Sequence, residues 1–251
     1  MKTKHTAWFR FYEELNDFLP RDKKKRDILY EFSGHPGVKD AIEALGVPHP
    51  EVELILVNGK SVGFDYHLQH GDRVSVYPMF ESLDVRSLIR LRPQPLRIPR
   101  FVLDVHLGKL AANLRLLGFD ALYRNDYSDP QIIDISVNER RIILTRDRGI
   151  LKTGAVTHGY CLRSDDPEQQ TREVLSRFDL YNSVSLFTRC VKCNGKIVQV
   201  EKHAIQDQIP EKAAKYYDDF HQCQSCGQIY WKGSHFSKMQ KKIKKLLKRE
   251  N

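Results

Sequence analysis

Long apolar runs are missing from this 251-residue chain. No stretch approaches the roughly 18 consecutive apolar residues that a membrane-crossing helix needs, so a soluble protein without a membrane partner is expected. The first twenty residues, MKTKHTAWFRFYEELNDFLP, hold neither a signal-type apolar core nor a small-residue cleavage site, and a cytoplasmic protein is expected. Two catalytic signatures are absent as well. There is no Gly-x-x-x-x-Gly-Lys phosphate loop and no Gly-x-Ser-x-Gly elbow, which leaves nucleotide triphosphatases and serine hydrolases without their central parts. Cysteine is sparse and odd in number: Cys161, Cys190, Cys193, Cys223 and Cys226. Four of the five form two Cys-x-x-Cys pairs, which points to metal binding in a reducing compartment rather than to disulfides. Cys161 stands apart in an apolar stretch and reads as a buried thiol, not a nucleophile.

What the chain does have is size and positive charge. Its length predicts two or three units. Lys and Arg outnumber Asp and Glu by 9. The balance is −1 over residues 1–80, +2 over 81–185 and +8 over 186–251, so the positive field belongs to the C-terminal part. A polyanionic partner suits that asymmetry, as does a basic tail that serves solubility alone.

Residues 1–80 read as a β-grasp (ubiquitin-like) domain. AWFRFYEEL and RDILYEFSG alternate as half-buried strands, with DKKK between them as a hairpin tip. VKDAIEALGV spaces Val38, Ala41, Ile42 and Leu45 for a helix that Gly46 stops. LILVNGKSV predicts a strand and an Asn58-Gly59 turn, and GDRVSVYPMF a last strand. Through VNGKSV and HGDRVSVYP this segment resembles the ubiquitin-like sulfur carriers. Those end in a free Gly-Gly, whereas here the chain runs on through Met79, Phe80 and Glu81. Sulfur transfer therefore has no terminus to run on, and a docking or nucleic-acid-orienting module, open to a protein partner, is expected instead. Residues 81–99, with Pro93, Pro95 and Pro99 among arginines, predict a stiff connector that is either solvated or RNA-contacting.

Residues 100–185 change to a doubly wound α/β pattern. RFVLDV, DALYRND, RIILTRD and AVTHGYCLR read as strands. Between them lie helices over LGKLAANLRLLGF, over SDPQIIDISVNER with Pro130 in its first turn, and over DPEQQTREVLSRF. In such a sheet, ligands gather at the carboxyl ends of the strands. Asp104, Asp126, Asp129, Asp147, Asp165 and Asp166 all fall at those ends. Each alone is an ordinary helix cap. Their recurrence favours a site for Mg²⁺ or Mn²⁺, hard cations that prefer oxygen ligands.

FVLDVHLGKLAANLRLLGFD and SDPQIIDISVNERRIILTRDRGIL resemble the C-terminal RNase domain of the Mut-seven family, a PIN-like nuclease fold with a zinc ribbon behind it. The resemblance implies that Asp104 and Asp147 are metal ligands and that Asp129 joins them. It implies Asp165, preferred to Asp166 by position, as the fourth acid, with Asp126 as an alternative. It also implies a metal-dependent ribonuclease, with RNA as partner. Arg146 and Arg148 interrupt an apolar run and suit either phosphate oxygens or ion pairs with the acids themselves. Lys109 and Arg115 carry the same two readings. A rival is a non-catalytic RNA- or ribosome-binding adaptor that keeps the fold.

RCVKCNGKI and FHQCQSCGQIYW are two knuckles whose Cys190, Cys193, Cys223 and Cys226 predict a structural zinc site over residues 186–236. The 29 residues between the knuckles exceed the commonest spacing of about 15 to 20, so an insertion that includes QIPEKAAKYYDD is expected. The tail, residues 237–251, sets Met239, Ile243, Leu246 and Leu247 on one face of a Lys-rich helix, fit for RNA, for the protein body or for an anionic surface.

Overall fold

The computed structural model describes residues 4–78 and 99–248, apart from the side chains of Ser234 and His235, so nearly all of the expected connector lies outside the described residues. The chain divides into two compact units, Met1–Ile98 with Asp147–Cys161, and Pro99–Arg146 with Leu162–Asn251.

In the first unit, strands β1 (Lys4–Phe11) and β2 (Ile28–Ser33) pair antiparallel, and helix α1 (Val38–Ala44) follows. A hairpin of β3 (Leu54–Val57) and β4 (Lys60–Val62) comes next. Strand β5 (Arg73–Tyr77) then enters between β1 and β3, parallel to the first and antiparallel to the second. The sheet order β2-β1-β5-β3-β4 is the expected β-grasp. Its cause is the period of two: Ala7, Phe9 and Phe11 are buried, while Trp8 between them is 43% exposed. Phe9 sits opposite Ile28 on one side and Val74 on the other, which fixes the register of three strands at once. Asn58 and Gly59 both take positive φ (50° and 79°), the two-residue turn that an Asn-Gly pair favours.

The connection between β1 and β2 differs from a simple hairpin tip. β1 stops at Phe11, and Glu13–Phe18 forms a 3-10 turn. The reason is spacing: Leu15 and Phe18 are buried three residues apart, which a helical turn permits and a strand does not. The Asn16 amide locks the turn, donating to the carbonyls of Phe11 (3.0 Å) and Glu13 (2.9 Å) and accepting the Lys25 N–H (2.7 Å).

The second unit opens with β6 (Phe101–Leu103), α2 (Gly108–Leu116), β7 (Ala121–Leu122), α3 (Asp129–Glu139) and β8 (Ile142–Thr145). β6 runs parallel to β7 and to β8, with Phe101 beside Ala121 and Ile142. Every residue of β6 and β8 is buried, as continuous apolar strands are in a parallel sheet. Leu107, Leu110, Leu114 and Leu117 are all buried along and beside α2. Gly118 ends that helix at φ +95°, and a Cβ there would stand 1.9 Å from the Ser185 carbonyl oxygen. Gly118→Ala is therefore expected to lower stability by roughly 1–3 kcal/mol, read as a fall in Tm.

Helix α4 (Arg148–Leu151) and strand β9 (Gly159–Cys161) follow, in the stretch that groups with the first unit. Back in the second unit, the Leu162 N–H donates to the Thr145 carbonyl (2.8 Å). Helix α5 (Pro167–Arg177) closes the alternation, tied to α2 by the buried Asn113 amide, which donates to Pro167 O and Thr171 Oγ1. The remainder holds β10 (Ile197–Val200), α6 (Glu211–Tyr216), β11 (Phe220–Cys223) and β12 (Ile229–Trp231), three antiparallel strands in that order. α6 lies in the expected insertion, and Ile205, Ile209, Phe220 and Ile229 make a small core of their own. Helix α7 (Ser234–Leu246) buries Ile243 and Leu246 and exposes Lys238, Lys241, Lys242, Lys244 and Lys245. Of the three uses open to that amphipathic face, packing on the protein body is the one observed.

Candidate functional site

The two cysteine knuckles converge. The Sγ atoms of Cys190, Cys193, Cys223 and Cys226 all lie within 4.8 Å of one another. Cys190 and Cys226 are 3.7 Å apart, and Cys193 and Cys223 3.4 Å. At a Zn–S distance of about 2.3 Å, tetrahedral sulfurs stand about 3.8 Å apart, so the quartet fits one zinc ion. Gly195 makes this possible, because a Cβ there would meet Ser225 Oγ at 2.5 Å and Cys223 Sγ at 2.8 Å. The Ser225 N–H points at Cys223 Sγ (3.4 Å), and the Tyr230 hydroxyl lies 3.0 Å from Cys190 Sγ, placed to donate to a thiolate there. Among the described residues, no second group of three or more His, Cys, Asp or Glu side chains gathers this closely.

Arg115 corrects one expectation. It is 4% exposed, and its guanidinium donates to the carbonyls of Ala121 (2.8 Å), Val191 and Lys192 (3.1 Å each). Spent on three carbonyls, it fastens α2 to the first knuckle and offers nothing to phosphate. A second fastener escaped the sequence reading. Asp120 accepts from Arg141 Nη1 (2.6 Å), from Asn194 Nδ2 (2.7 Å) and from Arg189 Nη2 (3.2 Å), while Asn194 Oδ1 accepts the Ala121 N–H (3.0 Å). The only sequence signal for it is an acid followed, 21 residues later, by an arginine at the head of an apolar run.

Burial alone would raise the Asp120 carboxyl, but the Arg141 and Asn194 hydrogen bonds outweigh it and hold the group below the usual carboxylate range. A depressed carboxyl stabilises the fold above its unfolded pKa of about 3.9, and that contribution is lost as pH falls through the folded value. Asp120→Ala, which leaves Arg141 to Glu139 and the Phe101 carbonyl and frees the Asn194 amide, is expected to cost about 1–3 kcal/mol near neutral pH. Urea unfolding at pH 7 and at pH 3 checks this, since the difference between parent and variant should shrink at the lower pH.

The acidic residues are held by simpler bonds. Asp104 ends β6, and its Oδ1 accepts the Val105 N–H (2.6 Å) while its Oδ2 accepts the hydroxyl proton of the buried Thr145 (2.7 Å) at the end of β8. Asp129 is the exposed first residue of α3, behind the Ser128 cap, whose N–H donates to Gln131 Oε1 (2.9 Å). Asp165 pairs with Arg146, so that arginine meets an acid rather than standing free for phosphate. Asp166 caps α5, accepting from Glu168 and Gln169 N–H (3.0 and 2.9 Å), and Asp126 is held by both guanidinium arms of Arg124 (2.9 and 2.7 Å). Lys109 is exposed in the first turn of α2.

Two predicted residues belong to the first unit. Asp147 is exposed and caps α4, accepting the Gly149 N–H (2.7 Å). Arg148 lies 4.9 Å over the Phe18 ring and donates to the Phe18 carbonyl (3.3 Å). Elsewhere, in the second unit, a cavity of about 450 Å³ is lined in part by Phe187, Tyr230, Trp231 and Phe236, with Arg189 and Lys232 among its polar residues.

The family model for the Mut7-C RNAse domain matches residues 99–243, more than half of the sequence. The chain belongs to the Mut7-C RNAse domain family. The Mut7-C match runs across Asp104, Asp129, Asp147, Asp165 and all four cysteines of the quartet. A second family model, Mut7-C ubiquitin, matches residues 4–84. A relative described as "Exonuclease mut-7 homolog", from Homo sapiens, is 36% identical over 106 residues, which is 40% of this Mut7-C chain and 12% of the human protein. No solved structure matches the chain. Among the described residues, no helix is long and apolar enough to cross a membrane.

Proposed function

We propose that this Mut7-C chain is a metal-dependent ribonuclease of the cytoplasm, with Asp104, Asp129, Asp147 and Asp165 as its acidic residues. The observation that carries the reading is Asp104. It stands at the carboxyl end of a parallel strand, held by the Thr145 hydroxyl of the neighbouring strand end, inside the segment that matches an RNase family. The donor set is all carboxylate oxygen, which suits Mg²⁺ or Mn²⁺; such an ion, when bound, supplies a hydroxide near neutral pH and charge stabilisation at the scissile phosphate.

The residues have three tasks. Thr145 and the Val105 amide orient the Asp104 carboxylate before anything binds. Lys109, with Arg146 once it turns from Asp165, meets phosphate oxygens; Arg148 serves there only by leaving Phe18. The exposed lysines of α7 hold the RNA backbone by charge, a contribution that falls with added salt. The zinc site fixes the ribbon and takes no part in the chemistry, because four thiolates leave no open position. We assign residues 1–80 to the β-grasp domain, 81–99 to the connector, 100–185 to the PIN-like domain, 186–236 to the ribbon and 237–251 to the basic helix. The β-grasp domain remains available to a protein partner.

RNA incubated with Mn²⁺ should be cut, and the same mixture with EDTA should not; cleavage indifferent to EDTA contradicts the reading. A second reading, a non-catalytic RNA- or ribosome-binding adaptor, is favoured by one observation, the Arg146–Asp165 pair that neutralises a proposed acid. Salt-sensitive RNA binding without any cleavage would select it.

A further inference from the structure

Within the first unit, several side chains of the β-grasp sequence converge on the stretch that runs on from Asp147. His49 is 4% exposed, and both of its ring nitrogens are engaged. Nδ1 lies 2.5 Å from Glu43 Oε1 and Nε2 lies 2.6 Å from the Val156 carbonyl oxygen. A carbonyl oxygen only accepts, so Nε2 carries the hydrogen and donates it. Nδ1 shares a second hydrogen with the Glu43 carboxyl, and Phe64 meets the ring edge-on at 5.6 Å. Glu51, with no exposed surface, accepts the Cys161 N–H through Oε1. Lys152 Nζ donates to the Glu43 carbonyl (2.9 Å), and Arg148 rests over Phe18. The stretch from Arg148 to Cys161 is thus tied by the side chains of Arg148 and Lys152 and by its backbone at Val156 and Cys161 to residues 107 to 130 positions earlier in the chain.

The physical need for such a grip is plain. α4 is a single turn of four residues, too short to hold itself. A carboxylate that must face a metal and a phosphate has to be fixed to within about 0.5 Å. Burying a histidine and a glutamate is costly unless each finds a partner, and here both partners belong to, or act on, the same short stretch. A surface that served only to meet another protein would not need them there.

We infer that the β-grasp sequence acts in cis as a positioning element for the Asp147 stretch, with His49 and Glu51 as its positioning residues. The grip stands on the contacts above, while its consequence for cleavage rests on the ribonuclease reading. The test uses the full chain and two readouts, amide hydrogen exchange over residues 148–161 and RNA cleavage with Mn²⁺. His49→Ala should speed exchange there by about tenfold, the effect of losing a buried hydrogen bond, and should lower kcat with KM little changed. His49→Gln, whose amide nitrogen can reach the position of Nε2, should restore both; His49→Asn, which cannot, should not. Glu51→Ala should repeat the effect at Cys161, which guards against a His49 variant that fails to fold. Parental exchange rates in both His49→Ala and Glu51→Ala would overturn the grip. Faster exchange with an unchanged kcat would overturn the positioning role alone. A parent protein that cuts no RNA would remove the ribonuclease reading, and with it the catalytic consequence, while the exchange data would still decide the grip.

Discussion

Asp104→Asn is expected to leave a folded protein that cuts RNA about a thousandfold more slowly, since losing several kcal/mol of metal-borne charge stabilisation amounts to roughly three decades in rate. The fold should tolerate the change because the asparagine is isosteric and its neighbours stay satisfied. Its oxygen still accepts the Val105 N–H, and its NH₂ can donate to the Thr145 hydroxyl, which reverses from donor to acceptor. Stability should therefore move by no more than about 1 kcal/mol. What disappears is the negative charge that a hard cation requires. Single-turnover cleavage with Mn²⁺, beside a thermal melt, separates the two effects. A variant that melts like the parent and cuts like the parent would remove Asp104 from the chemistry, and the ribonuclease reading would lose the observation that carries it.

Much of this fold was legible because periodicity declares itself locally. Phe9 and Phe11 alternate with less buried neighbours, Leu107, Leu110 and Leu114 recur at helical spacing, and Asn58-Gly59 favours a two-residue turn. The cysteine quartet was legible for a related reason, since Cys-x-x-Cys spacing is already the geometry of half a zinc site. Residues whose roles depend on distant partners were not legible. Arg115 reads as a phosphate contact or an ion pair with the acids because its partners, the carbonyls of Val191 and Lys192, lie 76 and 77 positions away and are backbone atoms that leave no mark in the side-chain pattern. Asp120 passed unnoticed for the same reason. Asp147 read as a cap or a ligand, and the structure gives it the cap. That bond is made by Oδ1. Arg146 and Arg148 had two readings each, and the partners now visible are Asp165 and Phe18.

Removing zinc, or replacing Cys190 with Ser, is expected to unfold the ribbon rather than loosen it. Three short strands and a core of Ile205, Ile209, Phe220 and Ile229 bury too little apolar surface to offset the ordering of some fifty residues. Structural zinc contributes about 10–16 kcal/mol in small Cys-rich modules, as much as the whole stability of an ordinary domain. The damage should also spread along a defined route. Arg115 and Asn194 join the first knuckle to α2 and to the start of β7, so a collapsed knuckle leaves the buried guanidinium with the Ala121 carbonyl alone and frees the Ala121 N–H. Amide exchange at Ala121 should therefore rise with exchange in the ribbon, whereas the β-grasp strands β1 and β5 should keep their protection. Metal analysis of the purified protein should find one zinc per chain, and Cys190→Ser should lose it together with the ribbon's share of the melt. A chain that is folded throughout without zinc would contradict the structural site. Unfolding confined to the ribbon, with Ala121 still protected, would instead show that the Arg115 and Asn194 bonds carry less of the connection than their geometry implies.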